Sequence, residues 1–160
     1  MPNLVELLKR LIDHRVEFVM IGGFAATMLG SSMVTHDLDI CIPFTEENFR
    51  HVLSALHDVH PRHRENKQPL SHDMSRLLRF KNLYLLTDWG PLDIVGIVSE
   101  LGSYAELLPQ SIEIELFDRR CRVLDINALI TSKRGIARPK DKEVILQLRA
   151  IQERLGKKYR

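Results

Sequence analysis

Cysteine is nearly absent from this sequence: Cys41 and Cys121 are the only two in 160 residues. Both sit in strand-like runs and read as buried thiols, so a disulfide framework is not what holds the fold together. Aromatic residues are scarce at 6%, with a single tryptophan. No apolar run approaches the ~20 residues of a membrane-spanning helix. The N-terminal stretch MPNLVELLKRLIDH breaks its apolar pattern with charges and has no signal-peptide cleavage pattern, so a cytoplasmic location is expected. There is no internal repeat and no low-complexity segment. What remains is a globular composition, 44% hydrophobic and 28% charged, long enough for one domain with a sizeable core.

The net charge of +2 conceals an uneven distribution. From Lys133 to Arg160 ten basic residues face three acids, and from Arg62 to Lys81 six face two. Basic surface of that density suits nucleotides or nucleic acid, and it also suits a solvated helix face.

Leu4, Leu7, Leu8, Leu11 and Ile12 recur at helical spacing, and Asn3 with Glu6 gives a capping signal for a first helix. EFVMIGG reads as a short buried strand, Gly23 to Leu29 as a brief helix and DLDICI as a second strand. Thr45 with Asn48 starts a helix to about Asp58. The polar, proline-punctuated stretch HPRHRENKQPLSHD reads as a mobile loop. RLLRFKN, LYLLTD and LDIVGIV read as strands, and Ser103 to Leu108 as a short helix. SIEIELF and CRVLD form a hairpin through Asp118-Arg119-Arg120. Asp125 caps a helix to about Arg134, and Pro139 opens a last helix whose stripe Val144, Leu148, Ile151 and Leu155 should face inward. This order implies a mixed central β-sheet flanked by helices, class α/β or α+β, in a single domain over 1–160 with a core at about 15–124 and basic helices at 125–160.

The chemistry concentrates in GGFAATMLGSSMVTHDLDI. Gly22 and Gly23 end a strand and enter a helix, where bare backbone N–H groups suit a phosphate. Asp37 and Asp39, two apart on a strand, point to one face with Cα atoms about 6.5–7 Å apart, within reach of one hard cation or a pair. Asp93, flanked by Leu92 and Ile94, adds a third carboxylate from a strand that reads as central, and such a trio suits a two-metal site. Asp88 competes for that role but abuts a turn. His57, His60, His63 and His72 fit no closed zinc pattern. Tyr84 and Trp89 are candidates for stacking a base or for packing.

The strand, the Gly22-Gly23 pair, the short helix, Asp37-Leu38-Asp39 and the later Asp93 together resemble the minimal polymerase-beta-like nucleotidyltransferases. The C-terminal run SKRGIARPKDKEV is similar to the closing motif of the abortive-infection type IV toxin nucleotidyltransferases and their bacterial relatives. The resemblance spans about residues 15–150. It implies that Asp37, Asp39 and Asp93 ligate Mg2+ or Mn2+, with Asp93 also activating the acceptor hydroxyl. It further implies that Gly22 and Gly23 receive the triphosphate of an NTP, and that Thr35 holds the preceding loop or touches phosphate. Lys133, Arg138 and Lys140 would supply positive charge over the nucleotide, with Asp141 orienting one of them. Met33 stands where these toxins often carry arginine. The implied acceptor is an RNA 3′ end such as that of tRNA, a protein hydroxyl or a small molecule, and a cognate antitoxin is the implied partner. The rival class is a catalytically idle nucleotide-binding or antitoxin protein with the same fold. A kinase-like phosphotransferase is the third reading.

Overall fold

The computed structural model describes residues 3–134 and 139–158. Among them, seven strands form one mixed sheet in the order β3-β4-β5-β2-β1-β9-β8. The strands are β1 (Val19–Ile21), β2 (Leu38–Cys41), β3 (Arg62–His63), β4 (Asn82–Thr87), β5 (Gly90–Val95), β8 (Ser111–Leu116) and β9 (Arg119–Leu124). β6 (Ile97–Val98) and β7 (Gly102–Ser103) pair separately. The helices are α1 (Leu4–Asp13), α2 (Gly22–Met28), α3 (Glu46–Leu56), α4 (Met74–Leu77), α5 (Tyr104–Leu107), α6 (Ile126–Arg134) and α7 (Pro139–Lys158). β1 lies antiparallel to β2 and parallel to β9, while β2 lies parallel to β5. The mixed α/β architecture expected from the sequence is therefore present, including the C-terminal helical segment.

Alternation along the strands gives the sheet two chemically different faces. Leu38 and Ile40, Leu83 and Leu85, and Leu92 and Ile94 are almost completely buried in the core. Asp39, Tyr84 and Asp93, the intervening residues, point to the opposite face, as period-two geometry requires. α1 contributes the buried stripe Leu4, Leu7, Leu8 and Leu11, and its N-terminus is capped by the Asn3 side chain, which accepts from the Glu6 amide at 3.2 Å. Thr45 caps α3 in the same way, accepting from the Asn48 amide at 3.2 Å.

Four local expectations require correction. The stretch read as a mobile loop contains β3, paired with β4, and a bridge between Arg62 and Pro69. RLLRFKN is not a strand: Asp73 caps α4 by accepting from the Ser75 amide, and Leu77 is buried from that short helix. The β8–β9 hairpin turns at Phe117-Asp118, both with positive φ, so Arg119 and Arg120 belong to β9. Two-residue turns with positive φ at both positions match the strand twist, which accounts for the shift. The α7 stripe faces inward at Val144 and Leu148 and is partly buried at Ile151, which lies against Gly30, but Leu155 is exposed.

Asn48 joins α3 to the segment entering β1. Its buried amide accepts from the Glu17 N–H at 2.8 Å and donates to the Glu17 carbonyl at 3.0 Å. Asn48→Ala removes both bonds, each worth about 0.5–1.5 kcal/mol, and empties the space the side chain fills. Urea unfolding of this variant is expected to show a loss of about 2–3 kcal/mol, whereas Asn66→Ala, in an exposed turn, should lose far less.

Candidate functional site

β2 and β5 run parallel with Asp39 directly opposite Asp93. Antiparallel pairing then sets Tyr84 of β4 opposite Asp93. The Arg64 amide donates to the Tyr84 carbonyl at 2.9 Å and so extends the β3–β4 register by one residue. A single row therefore crosses four strands on the open face: Asp39, Asp93, Tyr84, Arg64. Asp37 immediately precedes β2 and lines the same cavity of about 410 Å³.

On the other side of Asp39 lies Gly22, at φ +73°, where a Cβ would collide with the Asp39 carboxylate. Glycine is required twice over, for the left-handed conformation and for the close approach. Thr35 is pressed against Gly23, and its hydroxyl donates to the Asp37 carbonyl at 3.3 Å, so it holds the loop that leads into the acids. α7 anchors the same loop: Gln147 accepts from the Ser31 hydroxyl at 2.6 Å and from the Ser32 amide at 2.9 Å. Met33 lies on this loop, partly buried and lining the cavity.

The opposite wall comes from α6 and α7. Lys133 and Asp141 are both buried and form an ion pair at 3.1 Å. The expectation that Asp141 orients one of the basic residues thus has a geometric counterpart at Lys133. Lys140 also lines the cavity and is exposed. Arg138 lies outside the described residues.

The acids repel one another. Burial pushes the Asp39 carboxyl up to about 7, with Asp93 and then Asp37 acting in the same direction and Lys133 opposing. Burial also raises Asp93, against the pull of Arg64 and of the hydrogen bond from Asp39. Of this pair, Asp39 is the carboxyl that favours its protonated form below about pH 7. Arg64 donates from Nη2 to Asp93 Oδ1 at 2.5 Å, while its buried Nε has no hydrogen-bond partner. Arg64 was not foreseen as a site residue. Its only sequence signal is that PRHR alternates in phase with a strand, which matters once the pairing with LYLL is known.

Among the described residues, no group of three or more His, Cys, Asp or Glu side chains is gathered closely enough to hold a metal alone. The donor set nevertheless fits a hard divalent cation. Mg2+ typically takes one or two carboxylates and completes its shell with water and substrate phosphates, and every donor here is oxygen. Crowded, partly buried acids that favour the protonated form would also exchange a proton for a cation.

The other candidates lie elsewhere. Asp88 bonds to His60 at 2.5 Å and approaches Arg62 at 3.6 Å. Arg10 stacks on the Trp89 ring at 4.6 Å and the Asn3 amide donates to the Trp89 carbonyl, so Trp89 packs against α1. His63 stacks on Phe80 and forms no cluster with the other histidines. Cys41 and Cys121 are buried and unpaired, and burial pushes both thiols up to about 11.

No protein-family model matches the sequence, and no curated protein sequence matches it. Solved structures do resemble the fold. The solution structure of the antibiotic-resistance factor ANT(2'')-Ia matches with a TM-score of 0.58 at 13% identity, covering 98% of this chain and 90% of that one. ANT(2'')-Ia in complex with adenylyl-2''-tobramycin matches with a TM-score of 0.56 at 13% identity, covering 98% and 97%. A Thermotoga maritima protein, TM1012, provisionally assigned as a nucleotidyltransferase, matches with a TM-score of 0.55 at 15% identity, covering 98% and 96%. The chain thus has a nucleotidyltransferase-like fold.

The raised Asp39 carboxyl sets a pH dependence of stability. The folded protein retains a proton that the unfolded chain releases near pH 4, so this contribution is fully present below pH 4 and is lost as pH rises through about 7. Thermal melts of the metal-free protein are expected to show a falling Tm from pH 5 to 7.5, and Asp39→Asn should flatten the slope. Mg2+ should raise the wild-type Tm more at pH 8 than at pH 5.5, because protons and cation compete for the same oxygens.

Proposed function

We propose that this protein is a metal-dependent nucleotidyltransferase that moves an NMP from an NTP to a hydroxyl acceptor and releases pyrophosphate. The observation that carries this reading is the in-register pair Asp39–Asp93, set beside a glycine whose positive φ and closeness to Asp39 make any side chain strained, and faced across the cavity by Lys133. ANT(2'')-Ia with adenylyl-2''-tobramycin supports it as a precedent, within this fold, for a nucleotidyl group joined to a small molecule.

Gly22 and Gly23 leave the cavity wall bare where the triphosphate would lie, and Lys133 and Lys140 bring positive charge to it. Asp37, Asp39 and Asp93 would hold Mg2+ or Mn2+, which supplies Lewis-acid charge for the phosphates when bound. The acceptor oxygen attacks the α-phosphorus, the bond from that phosphorus to the bridging oxygen breaks, and pyrophosphate departs with the electron pair. Asp93, on the side of the acids away from Gly22, accepts the hydroxyl proton. Lys133, held in place by its ion pair with Asp141, offsets charge that builds on the phosphates. The basic segments favour an RNA 3′ end such as that of tRNA over a protein hydroxyl, and a toxin role with a cognate antitoxin follows from the motif resemblance. A catalytically idle, nucleotide-binding version is the second reading. Met33 in the cavity and Arg64 on Asp93 favour it.

Incubation with α-labelled NTP, Mg2+ and RNA, protein or small-molecule acceptors is expected to label one acceptor class. Asp39→Asn and Asp93→Asn should each lower the label about a hundredfold or more. Unchanged labelling in both variants would overturn the site. Binding of Mg2+-NTP with no label on any acceptor would select the idle reading.

A further inference from the structure

A second cavity, of about 390 Å³, opens on the far side of Tyr84. Tyr84 is the wall common to this cavity and to the one that holds the carboxylates. Reading the row outward from Gly22, one crosses Asp39, then Asp93, then Tyr84, at about 4.8 Å per strand. In-line displacement needs the attacking oxygen and the departing pyrophosphate on opposite sides of the transferred phosphorus. With the triphosphate at Gly22 and Gly23, the acceptor must approach from the Tyr84 side.

The chemistry of the second cavity specifies what approaches. Tyr84 is 50% exposed and Phe80 40%, although large aromatic side chains gain most by burial. His63 backs Phe80, with ring centroids 5.4 Å apart and planes 31° from parallel, and so holds that ring while leaving part of it open. Asn66 and Asn82 line the same space with amides that both donate and accept, Arg76 adds a cation and Glu65 a carboxylate. Arg76 and Phe80, with Arg79, also line a smaller adjoining hollow, so the basic and aromatic surface continues outward. A cationic acceptor would meet the excess positive charge of the Arg62–Lys81 segment. A planar ring with phosphate attached meets stacking surface, edge-reading amides and positive charge.

We propose that this cavity is the acceptor subsite and that it takes a nucleotide unit, a heteroaromatic ring carrying phosphate. This rests on the transferase reading given above. Phe80 and Tyr84 stack the ring, Asn66 and Asn82 meet its edge, and Arg76 meets its phosphate. The unit is either the terminal residue of an RNA or a free nucleotide.

Titrations followed by amide NMR on the full chain, saturated with a non-hydrolysable NTP analogue and Mg2+, separate these cases. The probes are CMP, AMP and an RNA tetranucleotide with a free 3′ hydroxyl. Probe binding is expected to shift the amides of Asn66, Phe80 and Asn82. Phe80→Ala should weaken probe binding about fivefold or more and leave analogue binding unchanged. Arg76→Ala, on an exposed helix position, serves as the variant with the least effect on folding and should weaken the probes likewise. A tetranucleotide at least tenfold tighter than the mononucleotides identifies an RNA end, and equal affinities identify a free nucleotide. The proposal is overturned if no probe binds, if probes only displace the analogue at Gly22 and Gly23, if both variants bind as wild type does, or if a serine-containing peptide binds there in the probes' place. Failure of the analogue to bind, with probes still bound at Phe80, overturns the transferase reading and the acceptor role while leaving the ring site in place.

Discussion

The crowding of partly buried carboxylates is the constraint around which the candidate site is arranged. Asp39 and Asp93 are placed side by side by the parallel pairing of β2 and β5, and neither can move apart without breaking the central ladder. Their charge is offset by Lys133 from the helical wall and by Arg64 from the sheet edge, and burial favours a protonated Asp39. A protein selected only for stability would place apolar or neutral residues at these positions, since buried like charges are costly. The surrounding elements keep the arrangement in place: Gly22 makes room for the Asp39 carboxylate, Thr35 and Gln147 secure the loop before it, and Asp141 keeps Lys133 paired.

Arg64 changes how the site reads as an assembly. The notion of three acids converging on cations omits the edge strand, yet the edge strand supplies the side chain that touches Asp93 directly. On the proposed reading, a cation held by Asp93 would compete with Arg64 for a carboxylate oxygen. The buried, unpartnered Nε fits a side chain whose present pairing is incomplete. The cavity of the acids and the second cavity thus meet at Tyr84 on β4, which pairs with β5; on these two strands the buried and exposed residues alternate most regularly.

Local signals in the sequence carried most of the elements. Asn3 and Thr45 act as caps because a side-chain oxygen bonding an amide three residues on depends on nothing distant. The same is true of Asp125, which accepts from the Ala128 amide. RLLRFKN was misread because its apolar residues satisfy a strand pattern over so few positions that a single helical turn, fixed by Asp73 and the burial of Leu77, is indistinguishable by period alone. HPRHRENKQPLSHD was misread for the opposite reason: its composition is that of a loop, and only pairing with β4 makes it a strand edge.

By itself, then, the sequence determined which chemistry was present: two glycines before a short helix, an Asp-x-Asp pair, a third aspartate between apolar neighbours and a basic C-terminal run. Each of these is a property of a few adjacent residues. That Asp93 lies opposite Asp39, that Tyr84 and Arg64 continue the same row, and that Lys133 closes over it from α6 were decided only by the tertiary structure. Strand order and register depend on contacts between segments tens of residues apart, and a shift of one residue in either pairing would turn the acids to the other face of the sheet.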